Sequence, residues 1–372
     1  MRKRMREYGI SLGHLPTGPL NAITDVKGIK VGHSTVILGG GKLIPGKGPA
    51  RTGVTAILPH EGNIFKEKLL ASCFIGNGFG KSAGLMQIRE LGTLETPIVL
   101  TNTLSVGIVS DALIDYMLSL NEDIGVTTGT VNPVVLECND GYLNDIRGRH
   151  IKKENVFEAL NSAKKEFQTG SVGAGTGMIC HGFKGGIGTS SRMVEINGHT
   201  YTVGALLLTN YGRMDDLTFN GKNVGRLLKQ KIKEEKNITK DIKETLKDKD
   251  DGSCIIIIAT DAPLDALLLE RVAKRSILGL ARTGSFMGNG SGDIAVAFST
   301  ANRICHYGEN VVSIKTISQH SSIIDFIFQA VVEAVEEAVW DSLFTAEKII
   351  GRDDHEVPVL PVEQLLEAIT QT

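Results

Sequence analysis

No two cysteines in this sequence are spaced as CxxC, and the five present, at 73, 138, 180, 254 and 305, form no cluster at zinc-ligand spacing. An odd, scattered set argues against a disulfide framework and for a reduced, cytoplasmic protein. The nine histidines, among them His33, His60, His181 and His306, contain no HExxH and no paired spacing, so the sequence predicts no metal site. Net charge is −2 with 22% charged residues, which lacks the electrostatic footprint of a nucleic-acid binder. The chain has no 18-residue uncharged apolar run. Its amino end, MRKRMREYGISLGHLPTG, is basic without the apolar stretch of a secretory signal, so neither membrane span nor export is predicted. Two nucleotide motifs are near misses: IGNGFGKS has Ile75 where a phosphate loop needs glycine, and GAGTGM has Met178 where the dinucleotide fingerprint needs one. No repeat of fixed period occurs. What remains is a small peptide or amide partner, with no cofactor.

What is plentiful is glycine, 43 of 372 residues, often clustered as in GNGFG, GAGTG, GGIG and GNGSG. Such clusters predict tight turns and close backbone approach around a cavity, which suits an enzyme. Apolar β-branched runs at GVTAILP, TPIVLTN, NPVVLE, TVGALLLTN, CIIIIAT, DIAVAFST and VVSIKTI predict strands. Helical periodicity marks KSAGLMQIREL, IVSDALIDYMLSL, NVFEALNSAKKEF, PLDALLLERVAKRSILGLA and SIIDFIFQAVVEAVEEAVWDSLF. The mixture predicts layered sheets covered by helices. The last helix, 322–344, is read as one that covers the core.

Residues 229–252, KQKIKEEKNITKDIKETLKDKDDG, carry charge of both signs at 15 of 24 positions, a composition that excludes core. This charged linker stops at Gly252, and Ser253 opens the apolar run SCIIIIAT. A serine at that border has a specific chemical use. A serine hydroxyl needs a base, and a freed α-amine, which ordinarily titrates at about 7.7–8.0, supplies one on the same residue. Attack of the Ser253 hydroxyl on the Gly252 carbonyl, followed by hydrolysis of the ester, would free that amine. Further on, Ser291 and Asp293 lie two residues apart in a glycine-rich turn, where they could orient a proton or serve only as a self-bonded turn.

SVGAGTGMICHGFKGGIGTSSR, LLLTNYGRMDDL, DGSCIIIIATDAPL and ARTGSFMGNGSGDIAVAFSTAN together resemble the DmpA/BapA-like family of L-aminopeptidase D-esterases and β-peptidyl aminopeptidases. IGNGFGKSAGLMQIRELGTLETPIVLTNTLSVG and NPVVLECNDGYLNDIRG agree, so the resemblance runs in family order from about Gly18 to Phe344. It implies an α+β fold, a four-layer αββα sandwich built from residues 1–372 and cut into chains 1–252 and 253–372. It also implies release of amino-terminal residues from peptides, amides or esters, in a homo-oligomer. Ser253 matches the nucleophile, Ser291 and Asp293 the assisting pair, and Asn210 the side chain of the oxyanion hole. Glu137 matches an acidic position suited to hold the substrate amine; a strand-end carboxylate facing water is the other reading of that residue. In ECNDGYLND, either Tyr142 or Asn139 occupies the remaining binding position. A non-catalytic relative would be expected to have lost Ser253, Asn210 or Ser291, and all three are present. Acyl transfer would use the same acyl-enzyme, but acyl transferases of related architecture expose threonine.

Overall fold

The computed structural model of the chain describes residues 2–235 and 252–370. In order, its strands are β1 (Lys30–Leu38), β2 (Ala50–Leu58), β3 (Glu67–Gly78), β4 (Thr93–Leu94), β5 (Ile98–Asn102), β6 (Val134–Cys138), β7 (Ile179–Cys180), β8 (Phe183–Lys184), β9 (Gly186–Ile196), β10 (His199–Asn210), β11 (Thr218–Phe219), β12 (Lys222–Asn223), β13 (Ser253–Thr260) and β14 (Gly292–Cys305). The helices are α1 (Leu85–Leu91), α2 (Val106–Leu120), α3 (Lys153–Asn161), α4 (Gly225–Glu235), α5 (Ala266–Arg282), α6 (Ile323–Thr345) and α7 (Val362–Thr370).

Two sheets carry the architecture, one of four strands in the order β1-β2-β5-β6 and one of six in the order β4-β3-β14-β13-β10-β9. Between them lies an apolar layer in which Ile57, Leu100 and Leu136 meet Leu206, Ile255, Ile257 and Val296. On the outer face of the six-stranded sheet, Ile256, Ile258 and Ala295 pack under Val272 of α5 and Val335 and Trp340 of α6. On the other outer face, Val54, Val99 and Val135 pack under α2 and α3 through Leu113, Val156 and Leu160. The layer order is therefore αββα, as expected. Strand β13 shows why the run CIIIIAT has no polar alternation: both of its faces are covered.

Two expected elements differ. VVSIKTI at 311–317 joins no sheet: Val311 is 81% exposed and Val312 and Ile314 are exposed too, while Ile317 at its end packs on the core. The helix expected to reach Phe167 ends at Asn161, because Lys164 exchanges both main-chain hydrogen bonds with Val31 of β1. Helix 322–344 does cover the core, and its residues from Ile327 to Thr345 are buried apart from Gln329. Of the charged 229–252 stretch, residues 229–235 continue α4, while 236–251 lie outside the described residues.

Burial of α6 takes four acids inside, and bases from earlier in the chain meet all of them, Arg282 reaching Glu336 at 3.2 Å. Arg192 on β9 is fully buried, 3.1 Å from Glu333 and 2.7 Å from Glu337. Arg6 holds both oxygens of Glu337 at 2.6 and 2.7 Å, and Arg4 reaches Asp341 at 2.6 Å. Burial opposes ionisation of Glu337, but Arg6 and Arg192 overcome it and hold its carboxyl below the usual value.

A second buried group anchors the glycine-rich turn Gly173–Gly177. The Lys184 ammonium donates to the carbonyls of Gly175, Met178 and Gly185 at 2.8–3.0 Å. Glycine is needed there by close approach, since a Cβ on Gly175 would lie 2.7 Å from the Gly186 Cα. Beside this turn Asp140 is fully enclosed, and burial pushes its carboxyl up to about 7.

Two outcomes are expected. Glu337→Ala leaves the Arg192 and Arg6 charges without their shared partner and lowers unfolding free energy by about 3–5 kcal/mol in urea titration. Asp140 retains a proton in the fold that the unfolded chain loses near pH 3.8, so its contribution is full below that pH and is lost as pH rises through about 7. The stability of the wild type relative to Asp140→Asn therefore falls between pH 4 and 7, with a limiting slope of about 1.4 kcal/mol per pH unit.

Candidate active site

Four strand ends meet at one edge of the six-stranded sheet. Ser253 opens β13 directly opposite Asn210, the last residue of β10, and level with Gly292, the first residue of β14. Gly292 in turn faces Gly78 at the end of β3. The apolar runs that fix this register are the ones buried on both faces, so a slip of one residue would carry every side chain of β13 to the wrong face.

Glycine at 252 answers to crowding from the neighbouring strand. A Cβ there would lie 2.2 Å from the Asn210 carbonyl oxygen and 2.5 Å from the Tyr211 Cα. The Gly292 N–H has a double role, standing 3.2 Å from the Gly252 carbonyl oxygen and 3.2 Å from Ser253 Oγ. One donor thus addresses both the carbonyl that precedes Ser253 and the Ser253 hydroxyl. Nothing in the sequence pointed to that amide, because a main-chain donor has no residue-type signature.

The Asn210 amide is oriented by the Ile179 N–H, which donates to its Oδ1 at 2.9 Å. Its Nδ2 donates to the Asn139 carbonyl at 3.0 Å. An amide nitrogen carries two hydrogens, so one remains for a further acceptor.

Ser291 and Asp293 are both fully buried and flank Gly292. The turn that carries them is bolted to the end of β3: Asn77 Nδ2 donates to the Ser291 carbonyl at 2.5 Å, and the Phe79 N–H donates to it at 3.2 Å. Ser291 Oγ makes no hydrogen bond with the described residues, so it is not spent on capping its own turn.

Glu137 reaches the site from the other sheet. It is 3% exposed, which excludes a carboxylate facing water. The Lys81 N–H donates to Oε1 at 2.8 Å and the Thr103 hydroxyl to Oε2. A carboxylate has about four acceptor positions, so these two donors leave room for a third partner. The next residue, Cys138, ties its strand to β13, its thiol standing 3.4 Å from the Ser253 carbonyl oxygen. Burial pushes that thiol well above its ordinary range, so it stays protonated and able to donate.

The two alternatives in ECNDGYLND part company. Asn139 turns its side chain onto the Gly141 N–H at 2.9 Å and offers Asn210 its carbonyl. Tyr142 stacks on His355 with ring centroids 4.4 Å apart, and its phenol is raised by burial. Thr103 and Lys81, which position Glu137, gave no sequence signal, since each acts through proximity that folding creates.

The arrangement combines an edge-of-sheet hydroxyl, two independently held amide donors and a buried carboxylate, a set suited to acyl chemistry on an amine-bearing substrate. Comparison with known proteins agrees. Residues 21–357 match peptidase family S58. The β-peptidyl aminopeptidase BapA of Sphingosinicella microcystinivorans is 40% identical over 366 residues, covering 97% of this chain and 90% of its own. A protein of solved structure from Pyrococcus horikoshii OT3 is 57% identical with a TM-score of 0.92, covering 99% of both chains. The L-aminopeptidase D-Ala-esterase/amidase of Ochrobactrum anthropi, described as a variant of the Ntn hydrolase fold, is 36% identical with a TM-score of 0.88, covering 99% of this chain and 98% of its own. This chain belongs to peptidase family S58.

Proposed function

We propose that this peptidase is a self-processed aminopeptidase and amidase that releases amino-terminal residues from short peptides, amides or esters, with Ser253 as nucleophile. The observation that carries the reading is the register that sets Ser253, Asn210 and the Gly292 amide level at one sheet edge. Glu137 completes it from the facing sheet.

Processing follows from that geometry. Ser253 Oγ attacks the Gly252 carbonyl carbon, the C–N bond breaks, and the released nitrogen takes the hydroxyl proton. Water then hydrolyses the resulting ester, leaving chains 1–252 and 253–372. The Gly292 N–H, 3.2 Å from the Gly252 carbonyl oxygen, stabilises the negative charge that develops on that oxygen. Ser291 and Asp293 assist the proton transfers.

In turnover the freed α-amine of Ser253 accepts the hydroxyl proton, and Oγ attacks the substrate carbonyl. The Gly292 amide and the second hydrogen of Asn210 Nδ2 receive the oxyanion. Glu137 pairs with the substrate ammonium, so that only a free amino terminus is seated. The names of the relatives bring β-linked amino-terminal residues within the proposed range. None of the five cysteines forms a disulfide and four are buried, in keeping with the cytoplasmic location we propose. Homo-oligomerisation is part of the same proposal, supported by the exposed Met86 and Leu91 of α1.

Purified protein incubated near neutral pH is expected to give two chains by intact mass, the second beginning Ser-Cys-Ile-Ile. Ser253→Ala should stay one chain and lack amidase activity; full turnover by an uncut chain would overturn the mechanism. Asn210→Ala is expected to lower kcat by about 10²–10³ without comparable loss of stability. Glu137→Gln should lower kcat/KM by about 10–100-fold, chiefly through KM, as the charge-assisted contact to the substrate amine is lost.

A further inference from the structure

Resting on the aminopeptidase reading, we propose that the natural substrate carries a carboxylate as well as an amine, and that the Lys81 ammonium, steadied on the Phe79 ring, receives it. The segment that leaves β3 after Gly78 joins the two halves of the site within three residues. At one end, the Phe79 N–H bonds the Ser291 carbonyl at 3.2 Å, and a Cβ on Gly292 would lie 2.9 Å from the Phe79 carbonyl oxygen, so this main chain packs directly on the turn beside the nucleophile. At the other end, the Lys81 N–H holds Glu137 Oε1 at 2.8 Å.

The two side chains on this segment are not explained by the fold. Phe79 is 63% exposed although its main chain is packed on both sides of the turn. Lys81 is exposed as well, its Nζ lying 4.4 Å from the Phe79 ring centroid, and among the described residues no carboxylate pairs with it. Some other surface cations meet carboxylates: Lys153 meets Asp111 and Asp115, and Lys348 meets Glu356. Arg213 offers a contrast, since its guanidinium also lies over an exposed ring, that of Phe286 at 4.9 Å, yet it is paired with Asp216 at 2.6 Å.

An ammonium on the residue whose main-chain N–H holds the carboxylate meant for a substrate ammonium would oppose approach of that substrate, unless the substrate also brings an anion. A zwitterion resolves the conflict, with its amine on Glu137 and its carboxylate on Lys81. The phenyl face steadies the ammonium by a cation–π contact and offers the substrate an apolar wall. The carboxylate can have two sources, the free carboxyl terminus of the leaving residue in a dipeptide or an acidic side chain on the released residue.

The test uses the full processed protein and two matched pairs of substrates. Alanyl-phenylalanine against its carboxyl-terminal amide reads the first source, and glutamate p-nitroanilide against glutamine p-nitroanilide reads the second. Alanine p-nitroanilide reports the underlying activity. The wild type is expected to prefer the carboxylate member of one pair by about ten-fold or more in kcat/KM, the size of one charge-assisted contact. Lys81→Met should erase that preference and Lys81→Arg should keep most of it, while Phe79→Ala should weaken it. Turnover of alanine p-nitroanilide with no carboxylate preference in either pair overturns this proposal and leaves the aminopeptidase reading standing. An equal loss on both members of a pair in Lys81→Met also overturns it, since that is the result if Lys81 only supports Glu137. Failure of the processed wild type on every substrate overturns both.

Discussion

Coverage of β13 on both faces is the constraint from which the site follows. Ile255 and Ile257 are buried between the sheets, while Cys254, Ile256 and Ile258 are buried under the helices, so in the register observed every side chain along the strand is out of water. That register sets Ser253 against Asn210 and Gly292. The geometry proposed for catalysis is thus held by apolar packing along the whole strand, and the polar contacts at its end act on parts already in place.

Polar groups inside the fold serve the same end. Arg4, Arg6 and Arg192 precede residue 252, and their partners Glu333, Glu337 and Asp341 follow it. Scission at Gly252 would therefore leave these ion pairs bridging two chains, with β10 and β13 still joined by their ladder. Lys184 pins the turn Gly173–Gly177, whose following strand supplies the Ile179 N–H that orients Asn210. The buried Lys184 looks remote from Ser253, yet it braces the turn whose following strand orients the Asn210 amide.

Several elements were legible from pattern alone. The runs at 202–210 and 254–260 and the helical periods at 263–281 and 322–344 correspond to β10, β13, α5 and α6, because each is apolar enough that burial alone fixes its type. Strands β1, β3 and β9 escaped that reading. In β9, buried Thr189, Ser190, Ser191 and Arg192 interrupt the apolar signal, and their burial is tolerable only because α6 carbonyls and acids, with Asn21 and Asp25, satisfy them. VVSIKTI failed in the opposite way, having strand composition but no strand partner, with Val311, Val312 and Ile314 left exposed.

By itself the sequence determined the residue types of the chemistry: a serine behind a glycine at the border of a charged tract, an asparagine closing an apolar run, and an acid closing another. Its order also carried the resemblance from which the αββα layers were expected. Only the tertiary structure decided which groups serve those residues. The Gly292 amide, the Thr103 hydroxyl, the Lys81 N–H and the Cys138 thiol become relevant through proximity between segments far apart in the chain. Such contacts leave no local trace, because a main-chain donor looks the same in every residue and a buried carboxylate differs from an exposed one only by what folding places around it.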